Sequence, residues 1–391
     1  PDPSALEARI AALSRRWNDR FQDALHDSKL AAETRALAAL FTGSFSAGYR
    51  EAFSPSEAMI DVSMLSGLNA TRPVCLRAYR RETDDEHRIR AKIYSRNGAI
   101  ALSDCVPIFE RMGLFVSFET GYPVAPSQKP VPDAPDEYWV HSLSMRRADG
   151  GEIDLQETGE AFEDAFVAVW SGRAENDGFN ALVFNAGLTW RQAALSRALC
   201  AYRHQSGLDP ARTTQMAALS GNPALTRHLM DLYEARFCPD RDADRDATST
   251  ALRARIEDAL KSVPSLDHDR IIRRLADLIM SIQRTNYYQR TSTNTPLPFI
   301  SFKIASRELD DLPDPKPYRE IFVDSPQVEG VHCRFGAVAR GGLRWSDRRD
   351  DFRTEILGLV KAQQVKNAVI VPVGSKGGFY PKQLPLGGSR E

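Results

Sequence analysis

Arg340-Gly-Gly-Leu-Arg-Trp345 opens a helix-patterned stretch that runs to Lys366, and an apolar segment at 369–373 then leads into Gly374-Ser-Lys-Gly-Gly378. Over 350–366, Phe352, Ile356, Leu359 and Val360 recur at helical spacing on one face, so an amphipathic helix is expected there. The unbroken apolar run at 369–373 reads as a buried strand, and 374–378 as a Gly-rich turn beyond it. Arg340, Arg344, Lys361, Lys366 and Lys376 fall within forty positions, interleaved with glycines and apolar residues. That pattern predicts a cationic pocket wrapped in packed structure, suited to a small dianion.

The cations differ in what surrounds them. Arg348 and Arg349 lie beside Asp347, Asp350 and Asp351, as surface ion pairs or helix-start charges do. Lys361 reads as a solubilising residue on an exposed helix face. Lys376 follows an apolar strand and is flanked by glycines, whose missing side chains let a ligand approach the backbone. A lysine held among apolar groups and other cations loses its proton more easily than the ordinary value of about 10.4, toward roughly 7–8, which suits a general base. The same turn can cradle a phosphate, although the spacing G-x-x-x-x-G-K-[ST] is absent.

Outward from this region, 298–303, 319–323 and 331–338 alternate or run apolar between Pro/Asp-rich turns, predicting three strands before Arg340. Residues 156–290 are helical in period. Leu252, Ile256 and Leu260 mark one helix and Ile271, Leu275, Ile279 and Ile282 another, while Glu175-Asn-Asp-Gly-Phe-Asn180 reads as a turn with side-chain caps. The charged run 240–246 reads as a solvated loop. Between 73 and 155 the pattern predicts a strand at 90–94, a helix at 103–112 capped by Ser103, and strands at 113–119 and 138–145. The last two are separated by a five-proline hairpin or linker over 123–135. This order resembles part of a ferredoxin-like or ACT-type module, a class that often binds amino acids. Residues 1–72 are expected to be helical, with a capping box at Ser4–Glu7 and apolar residues from Leu6 to Leu25 at three- and four-residue spacing.

Composition bounds the function. The 391 residues, 42% apolar and 26% charged, carry 51 basic against 52 acidic side chains, so no basic footprint for nucleic acid stands out. The longest clean apolar run, near 368–373, is far shorter than the roughly 18 residues of a membrane span. Five scattered cysteines form no CxxC pair, which fits a cytoplasmic protein, and no histidine spacing suggests a metal site. No G-x-G-x-x-G follows a predicted strand, so no NAD-binding residues are expected in this chain. A start at Pro1 and an end at Glu391, soon after the Gly-rich turn, predict a fragment of something longer.

The string Ala339-Arg-Gly-Gly-Leu-Arg-Trp-Ser-Asp-Arg-Arg-Asp-Asp-Phe-Arg-Thr-Glu355, with Lys366-Asn-Ala-Val-Ile-Val-Pro-Val-Gly-Ser-Lys-Gly-Gly378 after it and Glu320-Ile-Phe-Val upstream, is similar to the large NAD-specific glutamate dehydrogenases of bacteria. The resemblance implies an α+β chain. Its parts would be a helical region (1–72), an ACT-like module (73–155), a second helical region (156–290) and the start of an α/β substrate domain (291–391). It further implies Lys376 as the catalytic lysine, Lys366 as a ligand of the substrate α-carboxylate, and Arg340, with Gly341 and Gly342, at the side-chain carboxylate. L-glutamate and 2-oxoglutarate would be the substrate pair, NAD the cofactor on a domain outside this chain, an amino acid the possible effector, and a homo-oligomer the intact form. The other reading is a stand-alone regulatory or scaffold module that binds an amino acid through its ACT-like part. A third is an anion-binding protein that uses the Gly-rich turn.

Overall fold

The computed structural model describes residues 16–27, 32–207, 209, 211–241, 244–366, 373–385 and 387. The chain divides into two compact units, Pro1–Val167 and Ala168–Glu391.

In the first unit, helices α1 (Trp17–Asp27), α2 (Ala32–Ala39), α3 (Ala47–Ala52) and α4 (Pro55–Ser66) precede an antiparallel sheet. The sheet consists of β1 (Val74–Tyr79), β2 (Arg88–Ser95), β3 (Leu114–Val124) and β4 (Tyr138–Arg147) in the order β1-β2-β4-β3. Helix α5 (Leu102–Arg111) joins β2 to β3, and α6 (Leu155–Trp170) follows β4 and runs past the unit boundary. That strand order is the one a ferredoxin-like sheet takes when its first strand and helix are moved to the end of the chain. Strand alternation divides the sheet into two faces. Cys75, Tyr94 and Val140 pack with Phe21, Phe41, Tyr49 and Leu65 of the N-terminal helices. The opposite face carries Leu76, Ile89, Ala91, Ile93, Leu143 and Met145, all buried, while α5 and α6 meet through Phe109 stacked on Phe166 at 5.1 Å. The proline-rich stretch joins β3 to β4 as a hairpin, as expected, with β3 running on through Pro123. Ser103 is not the cap of α5: Ala101 holds that position without a side-chain bond, and the Ser103 hydroxyl turns to Asp104. The capping box at Ser4 lies outside the described residues.

In the second unit, α7 (Leu182–Ala186), α8 (Trp190–Gln205), α9 (Arg212–Ser220), α10 (Pro223–Phe237), α11 (Arg245–Leu260) and α12 (Leu266–Ser281) lead into a sheet of six described strands. These are β5 (Ile282–Thr285), β6 (Ile300–Ile304), β7 (Arg319–Asp324), β8 (Val328–Arg334), β9 (Leu343–Trp345) and β10 (Ser375–Pro381), in the order β5-β6-β7-β8-β10-β9. Helix α13 (Phe352–Lys366) connects β9 to β10. All neighbours are antiparallel except β9 and β10. Phe322 and Val331 of the sheet join Tyr202 of α8 and Phe352, Ile356 and Val360 of α13 in one core. The three strands expected before Arg340 are present, and β5 occupies the end of the segment read as helical.

Candidate active-site strand pair

Two expectations for the signature region are corrected. Arg340–Trp345 does not begin the helix: it leads into β9, and α13 starts only at Phe352. Gly374–Gly378 is not a turn, because Ser375–Pro381 is a seven-residue strand bonded to β8 on one side and β9 on the other. The expected strand at 369–373 lies outside the described residues except for Val373, which is exposed and not in a strand.

The physical reason for the second correction is close packing. A Cβ at Gly377 would lie 2.4 Å from Leu343 Cδ2, and one at Gly378 2.4 Å from Ile356 Cδ1, so the glycines admit strand β9 and helix α13 to the backbone of β10. Gly341 is more constrained: its Cβ would fall 1.4 Å from the Ser375 carbonyl oxygen, so no side chain fits while the strands stay in register. Gly342 faces open space.

This packing sets Arg340 beside Lys376 through the main chain. The Ser375 amide donates to the Arg340 carbonyl at 3.0 Å, and the Gly377 amide donates to the Gly342 carbonyl at 3.0 Å. The Arg340 side chain is exposed. Lys366 ends α13, and its side chain lies outside the description. The other described cations of the signature have surroundings of their own. Arg344 bonds Glu355 at 3.0 Å, and Lys361 is exposed on its helix as expected. Arg348 pairs with Asp351, the surface ion pair its neighbours suggested.

Lys376 lies opposite Cys333 of β8, in a row that continues to Glu320 of β7. By alternation it shares a face with Gly378, the face that meets α13. It is half-buried, and among the described residues its ammonium has no hydrogen bond or ion pair. The acid in its row is already engaged: Glu320, fully buried, takes both oxygens to Arg353 of α13 at 2.7 and 2.8 Å. Burial and the nearby Glu320 hold the Cys333 thiol well above its usual range, so it stays protonated and inert. His332, on the other face beside Gly377, has its pKa lowered by burial and by Arg334, so the ring is held neutral.

Sequence reasoning missed a second charged cluster on the same strand. Lys382, just past β10, bonds Glu175 at 2.5 Å and Asp324 at 2.7 Å and lies 3.6 Å from Glu329, while Arg212 bonds Glu329 at 2.6 Å. Burial, together with Glu329 and Glu175, pushes the Asp324 carboxyl up to about 6 despite Lys382. The Lys382 ammonium is raised even though burial opposes its charge, because Asp324, Glu175 and Glu329 surround it. Beside this cluster is a cavity of about 540 Å³ lined by Asn176, Asp177, Arg212, Tyr380 and Lys382. The turn read at 175–180 forms as expected, with Asp177 accepting from the Phe179 amide at 3.1 Å and from Arg197 at 2.7 Å. Its link to Lys382 spans 207 positions, beyond any spacing rule. Among the described residues no group of His, Cys, Asp and Glu side chains is placed to hold a metal ion. No described helix is long and apolar enough to cross a membrane.

Four successive regions match known families. Residues 24–68 match the glutamate dehydrogenase helical motif 2, 73–158 the glutamate dehydrogenase ACT3 domain and 174–239 the glutamate dehydrogenase helical motif 3. Residues 255–391 match the catalytic domain of bacterial NAD-glutamate dehydrogenase. The chain is 43% identical to the NAD-specific glutamate dehydrogenase of Pseudomonas aeruginosa and 41% identical to that of Halomonas elongata, in each case over 100% of this chain and 24% of the relative. It is 38% identical to the Mycobacterium tuberculosis protein of the same name, over 97% of this chain and 23% of that one. The chain thus spans about a quarter of the length of these relatives.

Proposed function

With its four regions matched to glutamate dehydrogenase domains and its whole length to NAD-specific enzymes, the chain belongs to the bacterial NAD-specific glutamate dehydrogenases, and from that premise we propose that it supplies the substrate lysine for oxidative deamination of L-glutamate to 2-oxoglutarate and ammonia. The observation that carries this reading is Lys376: a half-buried lysine, unpaired among the described residues, beside the Arg340 segment and in a row whose acid is taken by Arg353. An unpaired ammonium on a helix-covered sheet face can bind an anionic substrate and exchange its proton, which a lysine locked to a carboxylate cannot do.

In this proposal Lys366 binds the α-carboxylate, and Arg340, carried on the Gly341–Gly342 segment, binds the side-chain carboxylate. NAD, bound by a part of the protein outside this chain, would supply the acceptor for the hydride that leaves the α-carbon. Lys376, as the neutral amine, then takes a proton from the water that adds to the resulting iminium carbon and returns it as ammonia leaves. The segment ahead of β9, the end of α13 and Lys376 on β10 thus hold the substrate, and Lys376 exchanges the protons. The same reading has the intact enzyme working in the cytoplasm as a homo-oligomer, with the ACT-like module open to an amino-acid effector.

The test is made on the intact enzyme. Lys376→Ala should lower kcat by about 10²–10⁴-fold, the range of a positioned acid–base group, with folding retained. Near-normal kcat in a folded variant rejects the assignment. Lys366→Ala should chiefly raise the KM for glutamate; an unchanged KM with a reduced kcat assigns that lysine to the chemical step instead. The 391 residues alone should produce no NADH from L-glutamate, and measured turnover by the isolated chain would overturn the placement of the nucleotide site elsewhere.

A further inference from the structure

Lys376, Cys333 and Glu320 stand side by side on β10, β8 and β7, on the sheet face that α13 covers. Two strand spacings put the Lys376 and Glu320 backbones about 10 Å apart, a gap that an extended lysine and an extended glutamate close between them. Cys333, the residue in between, is too short to keep them apart. The two side chains share a face and carry opposite charge, yet Glu320 is bonded to Arg353 instead.

Arg353 holds that acid completely. Its Nε and Nη2 take the two Glu320 oxygens at 2.8 and 2.7 Å, and both side chains are buried. Burial opposes the charge on Arg353, but Glu320 raises its pKa well above the usual range, so the guanidinium stays charged. Helix α8 fixes the same residue from a second direction. The Arg353 amide donates to Gln205 Oε1 at 3.2 Å, Gln205 Nε2 donates to the Arg349 carbonyl at 2.7 Å, and Arg353 Cζ lies over the Tyr202 ring, 5.8 Å from its centre. Gln205 and Tyr202 belong to the segment that matches helical motif 3, so that motif anchors the start of α13.

Resting on the role proposed above for Lys376, we infer that Arg353 is a positioning residue of the reaction, which keeps Glu320 away from Lys376 and so leaves that lysine free to give up its proton. The planar fork matters because it occupies both carboxylate oxygens, where a point charge occupies one. A freed Glu320 turns to Lys376 across Cys333 and favours the ammonium, so the neutral amine that takes a proton from water forms only at higher pH.

The test follows Lys376 by two readouts. In the 391-residue chain, a pulse of acetic anhydride at a series of pH values, read by peptide mass mapping, gives the midpoint at which Lys376 becomes a reactive amine. Arg353→Met should raise that midpoint by at least about one pH unit, or about tenfold slower labelling at any pH below it, the scale of a carboxylate arriving within a few Å. Adding Glu320→Gln to Arg353→Met should return the midpoint to that of wild type. Arg353→Lys should shift it in the same direction by less, and decides the matter if the buried Glu320 anion keeps Arg353→Met from folding. An unmoved midpoint, or one that stays raised without the Glu320 charge, overturns the role of Arg353, since a merely structural arginine does not act through Glu320. In the intact enzyme the acid limb of kcat should move with the labelling midpoint. A labelling midpoint that moves while the kcat limb stays put rejects Lys376 as the base, whereas an unmoved labelling midpoint rejects only Arg353.

Discussion

Each unit of the chain places a lysine within a strand on a helix-covered sheet face, and the two lysines have opposite surroundings. Lys92 of β2 is fully buried, 2.6 Å from Asp61 and 2.8 Å from Glu57, with its ammonium 3.7 Å from the Phe53 ring centre. Asp61 also accepts from Tyr49 and, at 2.7 Å, from Tyr94. Lys376 of β10 is half-buried and unpaired among the described residues. The first lysine holds α4 to its sheet and has no capacity left for anything else. Among the described residues the second is fixed only by its backbone, which leaves its charge available to a ligand. On the proposed assignment, pairing separates the two lysines better than burial does, because the more deeply buried of the two is the structural one.

The same substitution at both positions gives the largest expected effect. Lys92→Met takes the ammonium from the buried Asp61, leaving it Arg77 at 3.5 Å while Glu57 keeps Arg77 at 2.9 Å, and should destabilise the first unit by about 3 kcal/mol, the lower end of the cost of breaking a buried pair from one side. Lys376→Met should change unfolding stability by no more than about 1 kcal/mol, since no partner is lost. Urea denaturation of the two variants measures this. Equal losses would mean that Lys376 also carries structural load and would dissolve the contrast.

How much of this was legible in the sequence follows from the range of each interaction. Periodicity located α5, α11, α12, α13 and three strands of the second sheet, because each is set by residues three or four apart, or two. It misread 340–345 as the opening of a helix and 374–378 as a turn, which glycines usually signal. Here they mark strands approached by Leu343, Ile356 and the Ser375 carbonyl, a property of the neighbours rather than of the segment itself. Motif reading reached Lys376 and Arg340 because both sit in one short signature. The residues that explain why Lys376 is unpaired, Glu320 and Arg353, lie 33 positions apart. The Asp61–Lys92 contact spans 31 positions and joins a helix to a strand. No local pattern encodes such pairs, so the contrast between the lysines emerges only from the fold.

A third lysine sharpens the contrast through pH. Lys382 is paired with Asp324, whose carboxyl is raised to about 6 by burial and by Glu329 and Glu175, against an unfolded value of about 3.9. For an acid whose folded value is raised, the stabilising contribution is complete below about 4 and is lost as pH rises through about 6. Asp324→Asn mimics the protonated form at every pH. Its stability relative to wild type should therefore climb by on the order of 2 kcal/mol between pH 4 and 7. Paired thermal melts across that interval read the difference, and a flat difference would mean that Lys382 neutralises Asp324 as fully as charges are matched around Lys92.

The smallest effect is expected at Arg344, which tests whether the signature holds one cation for ligand or several. Its guanidinium is 59% exposed and bonds Glu355 at 3.0 Å, while Glu355 also accepts from the Ser346 hydroxyl at 2.6 Å. An exposed pair of this kind is worth about 0.2–1 kcal/mol, and Ser346 keeps Glu355 in place without it. Arg344→Gln should therefore lower stability by less than about 1 kcal/mol and, in the intact enzyme, leave the glutamate KM unchanged. A raised KM would return Arg344 to the substrate pocket. Lys376 and Arg340 would then share the substrate with a third cation, and the carboxylate of Glu355 would be the group that releases Arg344 when substrate arrives.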